Sequence, residues 1–94
     1  MKYSVETKEV ILRNCKITFD YEVVKVEEYE NILIILTKNT ISGDVQKQPF
    51  NNIIAIDENA NVVWRISELT NVDIFYSGFY FNNIDGVGKV LEAR

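Results

Sequence analysis

Apolar and polar side chains alternate with a period of two along much of this chain, as half-buried β-strands require. The clearest case is Ile17-Thr-Phe-Asp-Tyr-Glu-Val23. It predicts a strand with Ile17, Phe19, Tyr21 and Val23 towards a core and Thr18, Asp20 and Glu22 towards water. At Val23-Val24 the phase slips and Val26 continues in the other register, which a β-bulge would produce. Glu27-Glu-Tyr-Glu-Asn31 then reads as a polar turn. Ile32-Leu-Ile-Ile-Leu-Thr37 follows as a strand apolar on both faces. Such a strand needs cover on two sides, from another sheet, a helix or a partner chain.

Asn52-Ile-Ile-Ala-Ile-Asp-Glu-Asn-Ala-Asn-Val-Val-Trp-Arg-Ile66 carries the only tryptophan and reads as a hairpin. A loop of Glu58, Asn59 and Ala60 sets Asp57 opposite Asn61, Ile56 opposite Val62 and Ile54 opposite Trp64. Ile54, Ile56, Val62, Trp64 and Ile66 then share one face. Loops of this length commonly end in a residue of positive φ, usually Gly. Ala60 would take that place at a strain of roughly 1–2 kcal/mol. Ile53 and Val63 on the other face make the hairpin a central element. Asp85-Gly-Val-Gly-Lys-Val-Leu-Glu92 repeats the signal, with Gly88 matching Ala60 and Val90 matching Val62. Two copies either mark a repeated unit or are two hairpins sharing one turn type.

The remaining segments are shorter. Lys2 to Arg13 reads as one or two short strands, with Tyr3 and Val5 alternating and Val10-Ile-Leu12 apolar. Lys38 to Asn52 is the loosest part, with turn signals at Ser42-Gly43-Asp44 and Pro49 and a short edge strand around Val45–Gln48. Ser67-Glu-Leu-Thr-Asn71 is a polar connection with room for one helical turn. In the aromatic segment 74–81, Ser77-Gly78 either bends a long strand or turns it back. Phe79–Ile84 and Lys89–Ala93 complete a last hairpin. No stretch keeps a helical period with caps. The chain is therefore expected to be all-β: a single small antiparallel meander over residues 1–94, about seven or eight strands forming a barrel or two-layer sandwich.

Composition narrows the function classes. A 47% hydrophobic and 26% charged chain of 94 residues is globular rather than disordered. Its net charge of −4 speaks against nucleic-acid backbones, which need clustered Lys and Arg. The lone Cys15 and the absence of an apolar signal core or membrane-length run point to a cytoplasmic protein with no membrane partner.

The chemistry-bearing residues are few. With no His, the usual general base near neutral pH is missing. No phosphate-binding Gly loop, nucleophile elbow or zinc spacing appears. Cys15, between Asn14 and Lys16, reads as a small core filler. Asp57-x-Asn59-x-Asn61 with Glu68 resembles calcium-loop spacing, but Val62 stands where that loop needs Gly and the flanks are strands, so a turn is the better reading. The acidic run Asp20, Glu22, Glu27, Glu28 and Glu30 is the candidate surface for a basic protein partner. Tyr76 and Tyr80 are the candidate ligand-binding residues, stacking on a base or sugar if the aromatic strand shows a face to solvent.

Residues 52–64 resemble the outer hairpin of a quinoprotein-type β-propeller blade, and Gly88-Lys-Val-Leu91 resembles its turn. Too few residues are present for a propeller, and Glu92 departs from the blade's Trp, so that resemblance implies a turn and no cofactor. The Tyr-x-Val strand, Ile-Leu-Ile-Ile-Leu (32–36) and the 52–66 hairpin together resemble small uncharacterised bacterial all-β proteins, which imply no activity. The expectation is a protein that is not an enzyme and uses neither metal nor cofactor. It is read as a protein-binding module that self-associates into a homo-oligomer or acts as an immunity- or inhibitor-type partner of a basic protein. The alternative is a small-ligand or sugar-binding domain using residues 74–81.

Overall fold

The computed structural model describes residues 1–70, 74–84, 86 and 88–94, and among them nine strands form three antiparallel sheets. The first sheet holds β1 (Tyr3–Glu6), β2 (Glu9–Leu12) and β3 (Lys16–Thr18). The second holds β4 (Glu22–Tyr29), β5 (Ile32–Lys38), β6 (Ile53–Ile56) and β7 (Val62–Arg65). The third is a hairpin of β8 (Phe79–Ile84) and β9 (Gly88–Ala93), and a single helical turn, α1 (Ile66–Thr70), follows β7. Within each sheet, strands adjacent in space are adjacent in sequence, as short connections dictate. The all-β antiparallel expectation holds. Three separate sheets of nine strands stand where seven or eight strands in a barrel or two-layer sandwich were expected.

The second sheet is the middle layer. Leu33 and Ile35 of β5 and Ile56 of β6 pack against Val10 and Leu12 of the first sheet. Ile34 and Leu36, with Ile53 and Ala55, pack on the opposite side against Ile66, Tyr76 and Phe79. Each fully buried Leu or Ile here contributes about 1.5–3 kcal/mol. The two-sided cover that residues 32–37 demand thus comes from the chain itself.

The run 17–23 is not one strand. β3 ends at Thr18, the chain bends at Asp20-Tyr21, and β4 begins in the next sheet. Backbone bonds from Phe19 N–H to Lys8 C=O and from Val23 N–H to Thr7 C=O, both 2.8 Å, hold the crossing. Ile17, Phe19 and Val23 nevertheless reach one cluster, as the alternation implied, whereas Tyr21, expected with them, sits at the bend and joins neither cluster. The bulge is present: pairing shifts between Val23 and Lys25, leaving Val24 extra. The expected turn at 27–31 shrinks to Glu30 and Asn31, with φ of 48° and 64°, while Tyr29 pairs with Ile32. Two left-handed residues make the tight turn that suits the twist of a hairpin. The expected edge strand at 45–48 is a 3-10 turn over Val45–Lys47. Asn39 and Gln48 organise that loop: Asn39 N–H donates to Gln48 Oε1 at 2.9 Å and Gln48 Nε2 donates to the Asn39 carbonyl at 3.0 Å.

The 52–66 hairpin forms with a corrected register. Asp57 N–H donates to the Asn61 carbonyl at 2.9 Å, Ile56 faces Val62, and Ala60 has φ 63°, all as expected. A register shift between Ala55 and Ile56 then sets Trp64 opposite Ala55 and Arg65 opposite Ile54. Trp64 therefore joins Ile53, Ala55 and Ile66, on the face away from Ile54 and Ile56. Only β6 is central; β7 is the sheet's edge, with Val63 exposed. The last hairpin also forms, and Gly88 shares the positive φ of Ala60. Its Val90 faces Asn82, a register unlike that of Val62, so the likeness is confined to the turn; Asp85 lies outside the described residues. Ser67–Thr70 lie in α1, while Asn71 is likewise outside the described residues, and β8 starts afresh at Phe79 after an irregular 74–78.

Candidate interaction surface

Strand geometry disperses the acidic run. Glu27 faces Ile34 and Glu28 faces Leu33, so the two carboxylates lie on opposite faces of the sheet. Glu27 lies 3.7 Å from the Lys25 ammonium, and Glu28 lies 3.2 Å from the Met1 amino group. Glu30 occupies the turn. Asp20 and Glu22 line a separate open cleft of about 280 Å³, where Lys8 and Lys38 balance them. The five residues named from sequence thus do not form one acidic patch.

The aromatic segment is likewise divided. Tyr76 is buried; its N–H donates to Asn52 Oδ1 at 2.8 Å and its hydroxyl lies 3.4 Å from Thr70 Oγ1. Tyr80 lies on the outer side of the β8–β9 hairpin, where its hydroxyl bonds the Glu92 carboxylate and Arg94 stacks over its ring at 5.0 Å. That hydrogen bond lowers the Glu92 carboxyl pKa, assisted by Asn82, and raises the Tyr80 phenol. Phe79 is core, and Phe81 meets Tyr29 at 5.1 Å between ring centroids. One tyrosine serves the core and the other a surface pair, so no joint stacking platform forms.

Asp57 is used in its turn. Its Oδ1 accepts the N–H groups of Asn59 and Asn61, each at 2.9 Å, and the Asn61 bond is the main cause of its lowered pKa. Glu68 instead accepts the Arg65 N–H at 3.4 Å. Among the described residues no group of three or more His, Cys, Asp or Glu side chains could hold a metal ion. Cys15 packs against the Val10 cluster with Sγ 3.9 Å from the Glu58 carbonyl.

What sequence reasoning missed lies where two sheets end side by side. β1 is the edge of the first sheet and β4 the edge of the second. All four residues of β1 are exposed, Tyr3 at 38% and Val5 at 41%, and the bulged Val24 is exposed at 41%. Tyr3 and Val5 pair with Leu12 and Val10, so their side chains lie on the core-facing side of the first sheet. There they form, with Val23, Val24, Lys25 and Val26, an open cleft of about 260 Å³. Lys25 is the one charged residue of that lining. Edge strands also present free backbone N–H and C=O groups. The signal was in the sequence: Tyr3 and Val5 alternate like core residues, but among the described residues nothing covers them fully.

The middle sheet is stacked between a second sheet on one side and a helix and hairpin on the other, not between copies of itself, so the propeller-blade likeness gains no support. Among the described residues no helix is long and apolar enough to cross a membrane. Comparison with curated proteins and with solved structures finds no match. A family model described as a domain of unknown function, DUF7957, matches residues 1–87, and the chain belongs to that family.

Proposed function

We propose that this domain is a noncatalytic cytoplasmic module that binds a protein partner along the β1–β4 edge. The observation that carries this reading is the apolar cleft between two adjacent sheet edges, lined by Tyr3, Val5 and Val24. A strand that docks beside such edges gains main-chain bonds for affinity and side-chain pockets for specificity. The net charge of −4 favours a basic partner, with an apolar side chain to fill the cleft. An immunity- or inhibitor-type role, masking a basic protein, is the specific form that this chemistry fits. The lack of His and the engagement of Asp57, Glu68 and Tyr76 in structural bonds support a role without catalysis.

The test is capture from source-cell lysate on immobilised full-length chain, comparing the natural protein with Val24→Lys. Val24 is exposed, so that change leaves the core intact. Stoichiometric binding of a protein, or of the chain itself, that is lost in Val24→Lys is the expected result. Equal retention by both, or no binding and no self-association, overturns the reading.

A further inference from the structure

The order of charges along β1 suits a second copy of the same strand. Lys2, Tyr3, Ser4, Val5 and Glu6 run as basic, apolar, polar, apolar, acidic. Two such strands laid antiparallel about Ser4 set Tyr3 opposite Val5 and Lys2 opposite Glu6, each pair occurring twice. Opposite charges and aromatic against β-branched side chains are favoured cross-strand pairs. Within one chain Glu6 faces Glu9, a like-charge pair, and Glu9 is already engaged with Lys16 at 3.5 Å. Among the described residues neither Lys2 nor Glu6 makes an ion pair.

We propose that the protein forms a two-fold dimer in which β1 pairs antiparallel with β1 of a second copy, joining two three-stranded sheets into one of six strands. The proposal rests on the reading of the β1–β4 edge as a protein-binding surface and names its partner. Residues directly opposite in an antiparallel pair share a face. Tyr3 and Val5 of both copies therefore form one apolar strip, which closes over the open cleft beside Val24. The Lys2–Glu6 pairs lie on the outer face and neutralise the Glu6–Glu9 repulsion. A two-fold contact is isologous, so one self-complementary strand suffices. Strands this short bury less than the roughly 1,200 Å² of a standard stable interface, so the dimer is a weak one, forming in the micromolar to millimolar range.

Sedimentation equilibrium on the full chain tests this, with Lys2→Glu and Glu6→Lys, both at exposed positions whose folding is checked by circular dichroism. The natural protein dimerises, and each single reversal weakens the dimer by about tenfold or more by opposing like charges twice. Mixing the two single variants restores a heterodimer, because one β1 then carries an acid at both ends and the other a base at both ends. The double variant restores the homodimer. A natural protein that stays monomeric at millimolar concentration, or a dimer indifferent to both reversals, overturns the self-pairing. So does a monomer that takes up an extended basic peptide at β1, which would leave the protein-binding reading standing. That broader reading falls separately, on the capture experiment.

Discussion

Asn52 is 4% exposed and occupies a position where a polar side chain needs every bond it can make. Its Nδ2 donates to the carbonyls of Thr37 and Tyr76 at 2.9 and 2.8 Å, and its Oδ1 accepts the Tyr76 N–H at 2.8 Å. The side chain thus pins the irregular segment before β8 to the ends of β5 and β6. Asn52→Leu would strip partners from three backbone groups, and orphaned buried groups cost about 1–3 kcal/mol each before relaxation. We expect a loss of about 2–4 kcal/mol in urea unfolding; a loss near zero would mean the segment does not depend on this pin. The Tyr80–Glu92 pair acts in the opposite setting, on an exposed strand face, and its signature is titration rather than stability. A carboxyl whose pKa is lowered by folding stabilises above its unfolded value, and that contribution fades as pH falls through the folded value. A phenol whose pKa is raised stabilises below its unfolded value and fades as pH rises through the folded one. Glu92 and Tyr80 therefore support the hairpin between the acid and alkaline limits. In Tyr80→Phe, carboxyl NMR should find Glu92 titrating closer to the ordinary range; an unmoved Glu92 would show that the hydroxyl is not its partner in solution.

Bulges decide how far each strand can be read from its sequence. The slip at Val23-Val24 is legible because polar residues on either side mark the phase. The shift opposite Ala55-Ile56 is not, because Val62-Val63-Trp64 is apolar throughout and carries no phase marker, so pattern alone puts Trp64 on the wrong face. Glu27 and Glu28 look like turn residues by composition, yet Lys25 and the Met1 amino group pair with them and the strand runs on to Tyr29. The break at Asp20-Tyr21 is hidden because alternation reports burial, not which sheet a residue bonds to. The cleft residues are hidden for a related reason: Tyr3 and Val5 have core-like spacing, and only the assembled sheets reveal their exposure. One turn is legible in detail. Ala60 at φ 63° does what Gly does best. Ala60→Gly should relieve a strain of roughly 1–2 kcal/mol. The glycine's greater freedom in the unfolded chain and the methyl's contact with the Val10 cluster offset part of it. A net gain of about 0.5–1 kcal/mol is expected, read as a rise in melting temperature; a fall would show that the methyl's packing outweighs the strain.

With β5 and β6 as a shared wall, the described residues form two apolar clusters, one on each face of the middle sheet. Leu33, Ile35 and Ile56 serve one side, Ile34, Leu36, Ile53 and Ala55 the other, so each cluster draws more than half of its buried residues from the middle sheet. A protein this small cannot sustain two independently stable cores, and removing either outer layer would expose one face of the wall. Unfolding should therefore be a single cooperative transition even though the apolar groups divide into two sets. The division should still appear in mutational coupling. Ile35→Val and Ile53→Val each trim a fully buried side chain, one per cluster, at about 0.5–1.5 kcal/mol. Residues without shared packing partners add to within about 0.3–0.5 kcal/mol, so the double variant should lose close to the sum. Ile34→Val with Ile53→Val shares a cluster, and neighbours of that kind couple by about 0.5 kcal/mol or more. Chemical denaturation of the three single and two double variants gives both coupling energies. Strong coupling across the sheet, or two resolved transitions in the natural protein, would contradict a middle layer that acts as one rigid partition between two packed faces.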